Sequence, residues 1–202
     1  MIAIFTGRPL VHTLSSLKQD HHMLLALTDA LDVFANALMR TEEVSPSDVG
    51  EFAHAFREFA DYVHYEKEEH VLLPFLVRHG FDWNCELLEQ IRAEHSRDRY
   101  LIDVLHQAGE QQGRLSQHDR RRLAATAATL ASVQRGLTMK QDIELLPEVT
   151  TALAPETLEE LNAELSRFDS QRGGRAAKLR RMIQGLTLRY CPANAEPAPS
   201  AS

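Results

Sequence analysis

Cysteine is nearly absent: Cys85 and Cys191 are the only two in 202 residues, too few for a disulfide scaffold. No run of about 18 apolar residues occurs, so no transmembrane helix is expected. The opening stretch, MIAIFTGRPLVHTL, lacks the basic start, apolar core and small-residue cleavage site of a signal peptide. A net charge of −7 and a pI near 5.8 leave no general basic surface for nucleic acid. No period-2 run of β-branched residues suggests a strand. A Gly-rich phosphate loop is missing, and so is a Ser/His/Asp signature in a supporting context. The expectation is a cytoplasmic protein without a nucleic-acid or membrane partner.

What is present is helix-forming sequence. Apolar residues make up 44% and charged residues 25%, ordinary for a globule. The length favours one domain with an appendage. Between Pro9 and Pro192 the only prolines are Pro46, Pro74, Pro147 and Pro155. The stretches between them are rich in Leu, Ala, Glu, Gln and Arg. Their periodicity and punctuation predict helices over roughly 14–40, 46–77, 85–107, 116–150 and 155–190, the last broken at Gly173-Gly174. Short connections between long helices predict an all-α fold, an antiparallel up-down four-helix bundle over 1–152. A further C-terminal helix, 153–190, would pack on it, through Met182, Ile183, Leu186 and Leu188, or carry them to a second subunit in a homodimer. The remaining tail, 191–202, is Pro/Ala/Ser-rich and expected to be disordered. The Arg and Lys residues of the last helix read as a solvated face, since no aromatic interleaving accompanies them.

An internal repeat supports the bundle. An acid-His pair occurs as Asp20-His21 and again as Glu94-His95, and Leu72-Leu73-Pro74 recurs as Leu145-Leu146-Pro147. Each half reads as one helical hairpin.

Ten histidines all lie between His12 and His118, so histidine chemistry belongs to the first ~60% of the chain. Helical face sorts them. His21 falls on the stripe Leu14, Leu17, Leu24, Leu31 and points inward; His22 and His54 share faces with charged residues and point outward. His64 lies on the stripe Phe56, Ala60, Glu68, Val71, Phe75, with Glu68 four residues on. His95 shares a face with Leu88, Ile91 and Ile102. His12, His79 and His118 fall in loops or at helix ends, and His70 and His106 have no clear face. Three inward histidines and an inward glutamate on three helices suit a metal site, because a buried carboxylate without a partner is costly. A hydrogen-bonded polar core is the alternative.

The run His64-Tyr-Glu-Lys-Glu68-Glu69-His-Val-Leu72-Leu73-Pro74 resembles the H-x-x-x-E-E-x-x-L-F-P motif of hemerythrin-like, HHE cation-binding proteins. Asp20-His21 and Glu94-His95 resemble the family's ligand histidines on the first and third helices. The resemblance covers about 14–150, and 153–190 resembles the tail helix of bacterial members. It implies a four-helix bundle holding non-heme iron and roles in O2 or NO binding and sensing, peroxide chemistry or iron-sulfur repair, without choosing among them.

The fourth helix departs from the family. The repeat offset places Leu137 where a histidine would stand and Gln141 where a bridging glutamate would stand. The ligands that remain are His21, His64, Glu68 and His95. Glu144, on the face of Gln141, and Asp142 are candidates to complete the set. Two readings follow: an iron protein with a mononuclear or incomplete di-iron site that takes a diatomic ligand such as O2 or NO, or a metal-free bundle serving as a binding or sensory scaffold.

Overall fold

A computed structural model describes residues 14–40, 44, 46–82, 85–110 and 115–191. His12 and the expected disordered tail from 192 onward lie outside them. Five helices follow one another: α1 (Ser15–Met39), α2 (46–78), α3 (Glu86–Gly109), α4 (117–152) and α5 (Pro155–Tyr190). No strand occurs among the described residues.

α1 packs against α4 and α5, α2 against α3, and α3 against α4. Its buried stripe runs from Leu17 through His21, Leu24, Leu31 and Phe34 to Leu38, the spacing of a helix with one apolar face. By length and composition α1 could cross a membrane, but half of that apolar window is buried, and Asp20 and His21 sit among the buried residues. Leu14, just before α1, adopts φ 60°, a conformation that costs a leucine about 1–2 kcal/mol. Its full burial and the bond from its N–H to Asn162 Oδ1 at 3.0 Å hold it there. Ser116 caps α4, its hydroxyl accepting the Asp119 N–H at 3.1 Å.

Two helices leave the 3.6-residue geometry where they carry Leu-Leu-Pro. α2 is π-helical over Phe56–Tyr65 and again over Glu68–Leu72, and α4 over Gln141–Leu145. Bonds spanning five residues mark these turns: Glu66 N–H to Asp61 O, Leu73 N–H to Glu68 O, Leu146 N–H to Gln141 O. Pro74 and Pro147 follow the two short π turns. A proline lacks the N–H and crowds the preceding turn, and a widened turn is one way a helix passes it without breaking. The π turns repeat at the offset of the Leu-Leu-Pro motif, so the internal repeat extends to backbone geometry.

The wider turns change which residues face inward. Tyr65 and Leu72 are buried although a 3.6 period turns them away, and Val71, assigned above to the inward stripe, is only half-buried.

α5 runs unbroken through Gly173-Gly174, contrary to the expected interruption. Two glycines cost a helix roughly 1 kcal/mol each. Ion pairs on both sides tie this stretch to α2: Arg172 to Glu66 at 2.8 Å, and Arg175 to Glu58. Further along, Arg189 pairs with Asp48. Leu161, Leu165, Leu179, Ile183 and Leu186 bury the inner face of α5, Met182 is half-buried, and Leu188 stands 57% exposed rather than docked.

Candidate metal centre

Three of the four anticipated side chains converge. One ligand atom from each of His21, His64 and Glu68 lies within 4.8 Å of the others, and all three residues are fully buried. The His21 and His64 rings meet edge-on with centroids 4.9 Å apart. Glu68 Oε1 lies 3.7 Å from His64 Nε2. His95 joins from the other side of Glu68, its Nε2 3.1 Å from Oε2 but not aligned as a hydrogen bond. His21 Nε2, His64 Nε2, His95 Nε2 and Glu68 Oε1 are all buried without a hydrogen-bond partner. Orphaned buried atoms are rare in folded proteins and ask for a cause. His22 and His54 face solvent, as do His70, His79 and His118, and His106 is half-buried near Glu110.

A carboxylate stands behind each imidazole. His21 Nδ1 donates to Asp142 Oδ1 at 2.7 Å, and His95 Nδ1 to Glu69 Oε1 at 2.8 Å. Asp20 Oδ2 lies 3.5 Å behind His64 Nδ1. A proton held on Nδ1 leaves Nε2 with its lone pair aimed at the centre, the arrangement carboxylate–histidine–metal groups use. Arg99 grips Glu69 with both terminal nitrogens, at 2.9 and 3.0 Å, and fixes its aim. Burial alone would raise the carboxyls, but their partners win. His64, His95 and His21 hold Glu68 down to about 2, and His95 and Arg99 do the same for Glu69. Against its own burial, His95 is raised by Glu68 and Glu69.

On α4, Gln141 is buried at the position of a second glutamate, and its Nε2 donates to Glu68 Oε2 at 2.8 Å. It therefore holds the carboxylate as a neutral amide. Leu137 is buried in the apolar core. Glu144 is exposed and completes nothing: the π turn rotates it outward as the matching turn rotates Val71. Asp142 reaches the site only from behind His21, its side chain 37% exposed.

The two halves of the bundle repeat these roles. Glu69 of α2 backs His95 of α3, and Asp142 of α4 backs His21 of α1. Asp20 of α1 backs His64 of α2. Its counterpart, Glu94 of α3, should back an imidazole at position 137. Leucine stands there, and Glu94 Oε2 is buried without a hydrogen bond, 3.8 Å from Arg97.

Asp20, Glu69 and Lys67 also take part, although the faces of the histidines did not point to them. The only signals were the acid-His and Glu-Glu pairs. Lys67 is buried, its ammonium 2.6 Å from both Asp20 Oδ2 and Asp169 Oδ1 and 2.8 Å from Ser16 Oγ. Tyr65 stacks on His95 with ring centroids 4.0 Å apart at 16°. Its hydroxyl proton is shared between Asp98 Oδ2 at 2.5 Å and Gln134 Oε1 at 2.6 Å.

The family model of the hemerythrin HHE cation binding domain matches residues 12–149. Comparison with curated proteins and with solved structures gave no match.

Proposed function

Since the chain belongs to the hemerythrin HHE cation-binding domain family, we propose that it is a cytoplasmic non-heme iron protein holding one ion tightly through His21, His64 and Glu68. His95 adds a ligand or serves a weaker second ion. The observation that carries this reading is the set of four buried donor atoms without partners, two of the three imidazoles anchored by a carboxylate at Nδ1. Neutral imidazoles and an ionised carboxylate are the ligand forms a divalent metal requires. Two histidines and a carboxylate are the set of many iron sites that keep open positions for O2, and iron bound there supplies a place for a diatomic ligand such as O2 or NO.

This chain's own residues do the positioning. Asp142, Asp20 and Glu69 orient the rings, Gln141 fixes Glu68 from the fourth helix, and Leu137 occupies the side where a second ion would sit.

The test is metal content and stability of purified protein loaded anaerobically with Fe(II). One iron per chain is expected, with a melting temperature that rises with Fe(II) and falls with chelator. A ligand confined to the folded state adds ~2.7 kcal/mol at a hundredfold excess over its dissociation constant. His64→Ala should abolish the response and His22→Ala should leave it intact. A melting curve unmoved by metal or chelator supports the scaffold reading, which Leu137 and Gln141 at the ligand positions of α4 favour.

A further inference from the structure

The α3/α4 half of the bundle carries a surface groove of about 550 Å3. Its walls on α4 include Thr129, Ser132, Gly136, Leu137 and Lys140. By the internal repeat these positions match Phe56, Phe59, Val63, His64 and Lys67 of α2, every one of them buried. On that side α5 packs along α1 and α2 and closes the surface. The α3/α4 side has no such cover among the described residues, and small side chains stand where α2 has bulky ones. The groove is the open counterpart of a sealed face.

Its inner wall adjoins the centre. Leu137 lines the groove, and one turn on, Gln141 holds Glu68. Ile91 lines it from α3, one turn before His95. Glu94, whose Oε2 makes no hydrogen bond, lines it too.

Charge says what belongs there. Lys67 is neutralised by two carboxylates, Asp20 from α1 and Asp169 from α5. Its counterpart Lys140 bonds the neutral Gln90 Oε1 instead, and among the described residues no carboxylate pairs with it as Asp169 pairs with Lys67. Arg97 adds a second cation, 3.8 Å from Glu94. A small anion in the groove would stand at Lys140 as Asp169 stands at Lys67.

We propose that the α3/α4 groove is the port by which a small anion reaches the metal ion, with Lys140 as its docking cation and Leu137 as the inner wall. This rests on the iron reading above. Anions of the size of azide, nitrite or hydroperoxide fit the class.

Two measurements test it. In the first, azide and NO are mixed with iron-loaded protein in a stopped-flow spectrometer. Filling the groove with the residues of the sealed face, Ser132→Phe with Gly136→Val, should slow the association of both ligands at least tenfold at unchanged iron content. Lys140→Met should slow azide about as much and leave NO unaltered, while Lys178→Met, an exposed charge on α5, should change neither. In the second, iron-free protein is titrated with azide and followed by amide NMR, which needs no metal. Shifts should centre on Gly136, Lys140 and Arg97 and vanish in Lys140→Met. Unchanged rates in the filled variant overturn the port. Azide rates indifferent to Lys140, or shifts centred elsewhere, overturn the docking cation. Failure to load iron at all, with the NMR shifts intact, overturns the iron reading and leaves the anion site standing.

Discussion

Asp98 sits in the core with Tyr65 against it, and burial pushes its carboxyl up to about 7, though Tyr65 and His95 oppose the rise. A carboxyl raised in the folded state favours folding below the unfolded value, near 4, where both states are protonated. That favour is lost as pH rises toward 7, because the unfolded chain ionises first. Asp98→Asn keeps the neutral shape. Its melting temperature should therefore exceed that of the wild type at pH 8 and match it at pH 4. The gap at pH 8 corresponds to at most about 4 kcal/mol at 1.36 kcal/mol per pH unit. Thermal melts at the two pH values check this; a gap of equal size at both would show that folding does not raise the Asp98 carboxyl. At the same scale, the inward faces of His21, His64 and His95 were legible because a side chain's direction on a helix follows from its place in the turn. Asp142 behind His21 was not legible, since it lies 121 residues away and only packing of α4 against α1 brings them together.

α4 explains the altered site as an element rather than as two substitutions. Its π turn at Gln141–Leu145 copies that of α2, so positions 137 and 141 still face inward with leucine and glutamine on them. Leu137→His with Gln141→Glu should restore the second half of a binuclear centre. Iron content should rise from about one to two per chain, with a new absorption band of bridged iron. Without metal the variant should be destabilised by a few kcal/mol, because a packed leucine gives way to an unpaired imidazole. Added iron should shrink that loss. Glu94 gives the variant its orienting carboxylate, so Glu94→Gln on top of the pair should weaken the second iron more than the first. Iron content that stays near one would mean that the fourth helix does not face the centre as these contacts indicate. The Leu-Leu-Pro repeat announced two equivalent helices in the sequence. It did not announce π geometry, which depends on how each helix passes its proline while packed, and that geometry turned Glu144 from candidate ligand into surface residue.

Across the whole molecule, one chain of contacts runs from α5 to the centre. Asp169 holds Lys67, Lys67 holds Asp20, and Asp20 stands behind His64. Asp169 belongs to a helix beyond the matched 12–149 segment. With Asp169→Asn the buried ammonium keeps the Ser16 hydroxyl but has Asp20 as its one carboxylate, and draws its oxygen from His64. Outer partners of ligand histidines typically contribute 10–100-fold in metal affinity, and a residue one contact further out should contribute about the lower figure. Iron affinity measured by chelator competition should fall roughly tenfold in Asp169→Asn and recover in Asp169→Glu, with Asn162→Ala as a control on α5 docking. Equal losses in Asp169→Asn and Asn162→Ala would mean that α5 supports the fold and not His64.

By itself the sequence determined that the chain is all-helical, where each helix starts and stops to within a few residues, and which histidines face inward. Those properties follow from turn residues and from a period of 3.6, which act over one or two turns. Only the tertiary structure decided that α5 stays continuous through two glycines, that Lys67 is buried, that Gln141 holds Glu68 and that Glu94 lacks its imidazole. Each of these depends on an ion pair, a hydrogen bond or a vacancy between residues far apart in the chain, and such contacts acquire an energy only once the helices are packed.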